Sequence, residues 1–257
     1  MKIATYNCNS IRKRMPIVLD WLKKNEPDVL CLQETKVADP EFPHGPIEEA
    51  GYTVTFRGMK AYNGVATLTK KKPEAVGYGF HEGPDSEDFR LLQTVVDGIE
   101  IVNTYVPQGF AIDSPKYQYK LGWFERLKKY FDERLSSGRP VVWLGDLNVA
   151  PEPIDLANPG PNKNHPCFHE AARQAYKDTV KGRFIDVFRS KYPDAVSYTF
   201  WDFFSKAFER NVGWRIDHIL ATPDLEKKCT AVEVDLNPRK AEAPSDHTIL
   251  WATFNIG

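Results

Sequence analysis

The chain's 257 residues, 42% of them hydrophobic, can bury a substantial core in one large α/β domain or two small ones, as an ordinary globular protein does. A net charge of −1 gives no whole-molecule attraction to polyanions, so any contact with nucleic acid has to come from a local basic surface. The four cysteines, Cys8, Cys31, Cys167 and Cys229, show no CxxC or zinc-type spacing, and no apolar run reaches about 18 residues, which points to a reduced, cytoplasmic protein and argues against secretion or membrane insertion.

In chain order, Lys2-Ile3-Ala4-Thr5-Tyr6 predicts a strand closed by Asn7. Ser10 then caps a helix that carries Pro16 near its start, buries Ile17, Val18, Trp21 and Leu22, and stops at Asn25-Glu26-Pro27. The strand ending at Glu34 completes a β-α-β opening. Segments 52–56, 63–69, 91–96 and 99–105 read as further strands, with Asp97-Gly98 as a two-residue hairpin turn, so the middle of the chain is expected to be an antiparallel meander. Asp113-Ser114-Pro115 opens a helix in which Leu121, Phe124, Leu127, Phe131 and Leu135 recur at three and four residues until Ser136-Ser137-Gly138. A strand over Val141 to Leu144 and an amphipathic helix over Phe168 to Val180 continue the alternation. Since no low-complexity linker divides the halves and candidate site residues come from both ends, one domain over 1–257, with helix-covered sheets, is expected.

Several of these apolar segments end on a residue suited to metal binding or proton transfer. Glu34 follows Val29-Leu30-Cys31-Leu32-Gln33, Asp146 and Asn148 follow Val141-Val142-Trp143-Leu144-Gly145, Asp217 closes Trp214-Arg215-Ile216, and Ser245-Asp246-His247 precedes Thr248-Ile249-Leu250-Trp251. A carboxylate beside buried strands costs several kcal/mol, on the order of 2–7, unless a cation or hydrogen bonds compensate it. Each has a bland reading: Gly-Asp-x-Asn as a turn, Glu34 as a solvated strand end, Asp217 in an ion pair with Arg215, His247 as a structural histidine. Together they form a set able to hold a hard divalent cation, neutralise a phosphate and activate water, with Asp217 available to fix the His247 tautomer.

Gln33-Glu34-Thr35-Lys36, Tyr105-Val106-Pro107-Gln108-Gly109, Gly145-Asp146-Leu147-Asn148, Asn211-Val212-Gly213-Trp214-Arg215-Ile216-Asp217 and Ser245-Asp246-His247 resemble, in this order, the motifs of the exonuclease III family of AP endonucleases. The resemblance runs from Asn7 to His247. It implies a four-layer α/β sandwich, two mixed β-sheets packed face to face with helices outside. It also implies that Glu34 and Asp246 belong to a magnesium site with Asn7 close by, manganese being able to substitute. Asp146 would activate water, Asn148 and Tyr105 would contact the phosphate, and His247, steadied by Asp217, would stabilise developing charge. Phe200, Trp214 and Ile216 would form an apolar pocket for a baseless deoxyribose, and Asn158 and Asn162 would lie beside it. Lys163, Arg210, Arg215 and Lys116 are the candidate phosphate contacts.

The expected activity is cleavage 5′ to abasic sites in duplex DNA by a monomer without membrane contact, with 3′ to 5′ exonuclease or 3′-end cleaning activity. Two alternatives keep parts of this site: a phosphatase or phosphodiesterase acting on phosphoinositides or lipid head groups, and a damage-binding module without turnover. The aromatic run Tyr198 to Phe204 with Phe208 argues against the first, although Phe203 and Phe204 themselves are expected in the core. The second should have lost at least one of Glu34, Asp146, Asp217 or His247, and none is missing.

Overall fold

A computed structural model describes residues 1–80 and 89–256. The strands are β1 (Lys2–Asn7), β2 (Val29–Gln33), β3 (Thr53–Arg57), β4 (Val65–Thr69), β5 (Ala75–Tyr78), β6 (Leu91–Val96), β7 (Ile99–Tyr105), β8 (Val141–Asp146), β9 (Ile185–Asp186), β10 (Asp217–Ala221), β11 (Cys229–Asp235) and β12 (Ile249–Phe254). The helices are α1 (Ile11–Asn25), α2 (Gly45–Glu49), α3 (Pro115–Leu135), α4 (Glu170–Val180), α5 (Val187–Lys191), α6 (Pro223–Glu226) and α7 (Asn237–Lys240). Two six-stranded sheets result, ordered β11-β12-β1-β2-β4-β3 and β5-β6-β7-β8-β10-β9. Among the described residues only β1/β2 and β7/β8 pair in parallel, so both sheets are mixed.

Strand alternation explains the layering. Ile3, Val29, Cys31, Ile101, Val142, Leu144, Ile219 and Leu250 face the gap between the sheets. Their neighbours Ala4, Leu30, Leu32 and Leu68 turn outward onto Val18, Trp21 and Leu22 of α1, while Val102, Val141 and Trp143 turn onto Trp123, Phe124, Leu127 and Phe131 of α3. Strands buried on both faces read as continuous apolar runs. The outcome is helix, sheet, sheet, helix.

Sequence and structure differ at particular elements. The middle strands are not one meander: β3 and β4 join the first sheet, while β5, β6 and β7 form part of the second. Local alternation is the same in either case, and only the partner strand differs. Asp217 begins β10 instead of ending a strand. Ser10 occupies the N-cap position of α1 at φ 92° and its hydroxyl makes no capping bond, whereas Ser114 caps α3 by accepting from the Tyr117 N–H. The Asp97-Gly98 turn has φ of 49° and 72°, the pair of positive angles a tight primed hairpin needs.

A buried amide ladder ties the sheets together beneath the strand ends. Asn103 of β7 donates through Nδ2 to the Leu32 and Ala66 carbonyls of the opposite sheet, at 3.2 and 2.9 Å. Its Oδ1 accepts from Gln33 Nε2 at 2.7 Å, and Gln33 Nε2 also reaches Thr5 Oγ1. Gln33 and Asn103 immediately precede Glu34 and, by two residues on the same strand face, Tyr105.

Candidate active site

Register brings the strand ends to one rim. Asp217 at the start of antiparallel β10 lies opposite Asp146 at the end of β8, and Tyr105 at the end of parallel β7 is on its other side. In the first sheet, Asn7 at the end of β1 pairs with Gln33, next to Glu34. Gly145 has φ 134°, and a Cβ there would overlap the Thr104 carbonyl oxygen; only glycine lets β8 pass so close to β7 just before Asp146.

Asn7 joins the two sheets' carboxylates. Its Nδ2 donates to Glu34 Oε1 and to Asp146 Oδ2, both at 2.8 Å, and its Oδ1 accepts the Asn9 N–H at 3.0 Å. Asp146 is further held by the Asn148 N–H on Oδ1 at 2.9 Å and by Asn148 Nδ2 on Oδ2 at 3.2 Å. His247 Nδ1 lies 2.7 Å from Asp217 Oδ2, with its Nε2 3.8 Å from Asp146 Oδ2. Thr199 Oγ1 accepts the N–H groups of Ile216 and Asp217, fixing the start of β10. Glu34 (φ 52°) and Asn148 (φ 49°) are non-glycine residues held in the left-handed region, a cost of order 1–3 kcal/mol that surrounding bonds must offset.

Burial lifts the Asp146 carboxyl to about 7, and the charges of Asp217 and Glu34 add to this while His247 and Asn7 oppose it. For His247 burial favours the neutral ring, but Asp217 and Asp146 outweigh it and push the imidazolium up to about 10. The Tyr105 phenol is raised by burial and by Glu34 and Asp146, so it remains a hydrogen-bond donor at neutral pH.

Asp146, Asp217 and His247 bring one ligand atom each within 4.8 Å of one another, and Asp217 Oδ1 is buried with no hydrogen-bond partner among the described residues. Glu34 and Asp246 add further hard oxygen donors to the same cavity. The carboxylate oxygens of this set fit a hard divalent cation, whereas the protonated His247 ring offers it no lone pair. Asp246 Oδ1 accepts from Asn9 Nδ2 at 3.0 Å and from Ser245 Oγ at 3.2 Å, and Lys36 Nζ reaches both Asn9 Oδ1 (2.6 Å) and Glu34 Oε2 (2.7 Å).

A cavity of about 470 Å³ is lined by Glu34, Tyr105, Asp146, Asn148, Asp246 and His247 together with Phe200, Trp214 and Ile216. Phe200 is bridged by backbone to Trp214 and His247, and its ring lies 4.9 Å from the His247 ring at an interplanar angle of 58°. The apolar wall and the acidic rim are therefore one continuous surface. Asn162 lines it too, and donates to the Asn158 carbonyl at 2.8 Å. Asn158, Lys163, Arg210 and Lys116 are exposed, the last with its ammonium 5.4 Å from the Phe110 ring centroid.

Arg215 corrects a sequence expectation. It is 1% exposed, its Nε on Asp155 Oδ1 at 2.7 Å and an Nη on Asp186 Oδ2 at 2.6 Å, so it cannot reach a phosphate and does not pair with Asp217. Successive side chains point to opposite faces, and sequence could not tell which face of 214–216 was the wet one. Phe203 and Phe204, expected in the core, are 53% and 78% exposed; Tyr198 and Trp201 take the core positions. Residues that sequence reading missed are Asn9, Thr199, Gln108 and His165. Asn9 had a signal, since asparagine at a strand exit tolerates its φ of 43°. His165 lines the cavity with its ring 4.7 Å from that of Trp214, in a loop that reads only as polar.

The model of the endonuclease/exonuclease/phosphatase family matches residues 4–247. The chain is similar to exodeoxyribonuclease III of Haemophilus influenzae, at 33% identity across 99% of this chain and all of that protein. Two solved structures resemble it along the full length of both chains. An AP endonuclease from Archaeoglobus fulgidus has a TM-score of 0.97 and 50% identity, and a 3′ phosphatase from Neisseria bound to a product DNA hairpin has 0.95 and 34%.

Proposed function

The chain belongs to the endonuclease/exonuclease/phosphatase family, on the branch of exonuclease III and the AP endonucleases, and on that premise we propose that it is a magnesium-dependent DNA repair nuclease cutting 5′ to abasic sites in duplex DNA. The observation that carries this reading is the shared cavity: an aromatic wall of Phe200 and Trp214 abuts the Asp146–His247–Asp217 group. A baseless sugar extruded from the duplex costs least to unstack and can lie against that wall, which selects damage without reading sequence.

The reaction breaks the bond between phosphorus and the 3′ oxygen of the preceding nucleotide. Asp146, pinned by Asn7 and Asn148 and titrating near neutrality, accepts the proton of the attacking water. The His247 imidazolium, held by Asp217, and the Tyr105 phenol donate to phosphoryl oxygens as negative charge grows on them. Asn148 Nδ2 is already engaged by Asp146 and the Val106 carbonyl, so in this reading it orients Asp146 as well as meeting the phosphate. Glu34 and Asp246 would hold the metal ion, with Asn7 keeping Glu34 in place. When bound, that ion supplies positive charge to the phosphate and the departing oxygen.

Among the described residues lining the cavity there is no lysine or arginine, a poor match to a head group bearing several phosphates. Exposed Lys163, Arg210 and Lys116 would contact the DNA backbone outside it and position the duplex. A terminal 3′ phosphate fits the same reaction, which adds 3′-end cleaning. Incubation with a duplex containing one abasic analogue should give a single nick with a 3′-hydroxyl in magnesium and none in EDTA; equal outcomes in the two buffers reject the proposal.

A further inference from the structure

The apolar stripe of α3 contains one residue that does not belong there by polarity. Lys120 is 0% exposed between Tyr117 and Phe124. A buried ammonium is costly unless every donor is used, and here all three are. Lys120 Nζ donates to the carbonyls of Gln108 at 3.1 Å, Asn148 at 2.6 Å and Pro166 at 2.9 Å. The partners are backbone oxygens, not a carboxylate, and they come from three separate connections: after β7, after β8, and before α4. Each connection carries cavity residues, namely Gln108, Asn148, and His165 with Cys167 on either side of Pro166.

The surroundings are shaped for this contact. Gly109 has φ 102°, and a Cβ there would sit 3.2 Å from Lys120 Cδ and 3.1 Å from the Tyr117 ring, so the glycine lets the loop lie directly on the helix. Ser114 Oγ, at the helix start, donates to the Gly109 carbonyl at 2.9 Å. Asn148 is held in its left-handed conformation from both sides, its N–H on Asp146 and its carbonyl on Lys120. Displacing that peptide would displace Asp146 with it.

We propose that Lys120 is a positioning residue for phosphodiester cleavage, its ammonium clamping the three loops so that Asp146 and Asn148 are aligned on the scissile phosphate. The proposal rests on the nuclease reading above. Misplacement of about 1 Å at a reacting group costs about 10²-fold in rate.

Lys120→Met and Lys120→Ala, made in the full chain, test it in two ways. Without DNA, hydrogen exchange in Lys120→Met should quicken together in 106–110, 147–150 and 165–168 while the strands beneath keep their protection; acceleration everywhere, or in none of the three, overturns the clamp. With magnesium and abasic duplex, single-turnover cleavage per folded molecule should fall about 10²-fold while DNA affinity, measured in EDTA, stays within about threefold. Ethylammonium should restore at least part of the Lys120→Ala rate, and tetramethylammonium, which cannot donate, should not. Cleavage within about twofold of the native rate, or equal effects of the two salts, overturns the proposal. If Lys120→Ala is unfolded at the assay temperature, refolding in ethylammonium must return active enzyme, and failure to do so overturns it. A native protein that leaves the duplex intact rejects the nuclease reading, while the exchange pattern still decides the clamp.

Discussion

Asp146 is the residue on which the electrostatics of the site concentrate, because three hydrogen bonds from Asn7 and Asn148 converge on one carboxylate that burial lifts to about 7. Asp146→Asn keeps the shape and removes the carboxylate that the proposed mechanism uses as base. Turnover on an abasic duplex should fall by about 10³-fold or more while affinity for that duplex, measured by anisotropy, changes little. A loss of affinity equal to the loss of rate would show that Asp146 acts in binding instead. Arg215 and Lys163 give a contrasting pair. Arg215→Met removes the cation that Asp155 and Asp186 share, leaving them Arg189 and His218, and should cost about 3 kcal/mol in urea unfolding, with the salt dependence of DNA binding unaltered. Lys163→Ala should spare stability and lower the slope of log K against log salt by about 1. The opposite pattern would return Arg215 to the DNA interface.

At the scale of elements, legibility followed locality. The Asp97-Gly98 hairpin, α3 from Pro115 to Leu135 and the β8 strand were readable because a turn's φ requirements, a helix's 3.6-residue period and a buried strand's apolar run are written within a dozen residues. Assignment of β3–β4 and β5–β7 to different sheets was not, since a strand's face pattern does not name its neighbour. What holds the two sheets in register near the site is the Asn103 ladder, three hydrogen bonds in a dry interior. Asn103→Leu should destabilise the protein by about 2–5 kcal/mol, because the Leu32 and Ala66 carbonyls and the Gln33 amide would lose a partner without reaching water. An unfolding curve within about 0.5 kcal/mol of the native one would show that these groups find other partners.

For the whole molecule, the acidic rim should make stability depend on pH and, on the proposed function, on metal. Asp146 titrates near 7 in the fold against an ordinary value of about 3.9 in the unfolded chain. A raised value means that its contribution is complete below about pH 3.9 and is lost as pH rises through about 7. His247 is raised to about 10, so its contribution is complete below about 6.5 and disappears as pH climbs through 10. In EDTA the melting temperature should therefore decline as pH rises from 4 toward 10. Asp146→Asn should flatten the limb below 7, and magnesium should recover stability most at the alkaline end, where the site is most negative. Scanning fluorimetry that shows no metal effect at pH 8 would contradict an ion at this rim. The ordered motifs and their residue types were enough, from sequence alone, to determine the family, the sandwich class and most of the groups now found around the cavity, Gln108, His165, Cys167 and Asp202 excepted, because acids, amides and an imidazole at strand exits have few other uses together. Tertiary structure alone decided which side chains face it. Arg215 turned inward to Asp155 and Asp186, Phe203 and Phe204 turned out to solvent, and Lys120 emerged beneath three loops, since facing depends on strand partners and loop crossings set by residues far away in the chain.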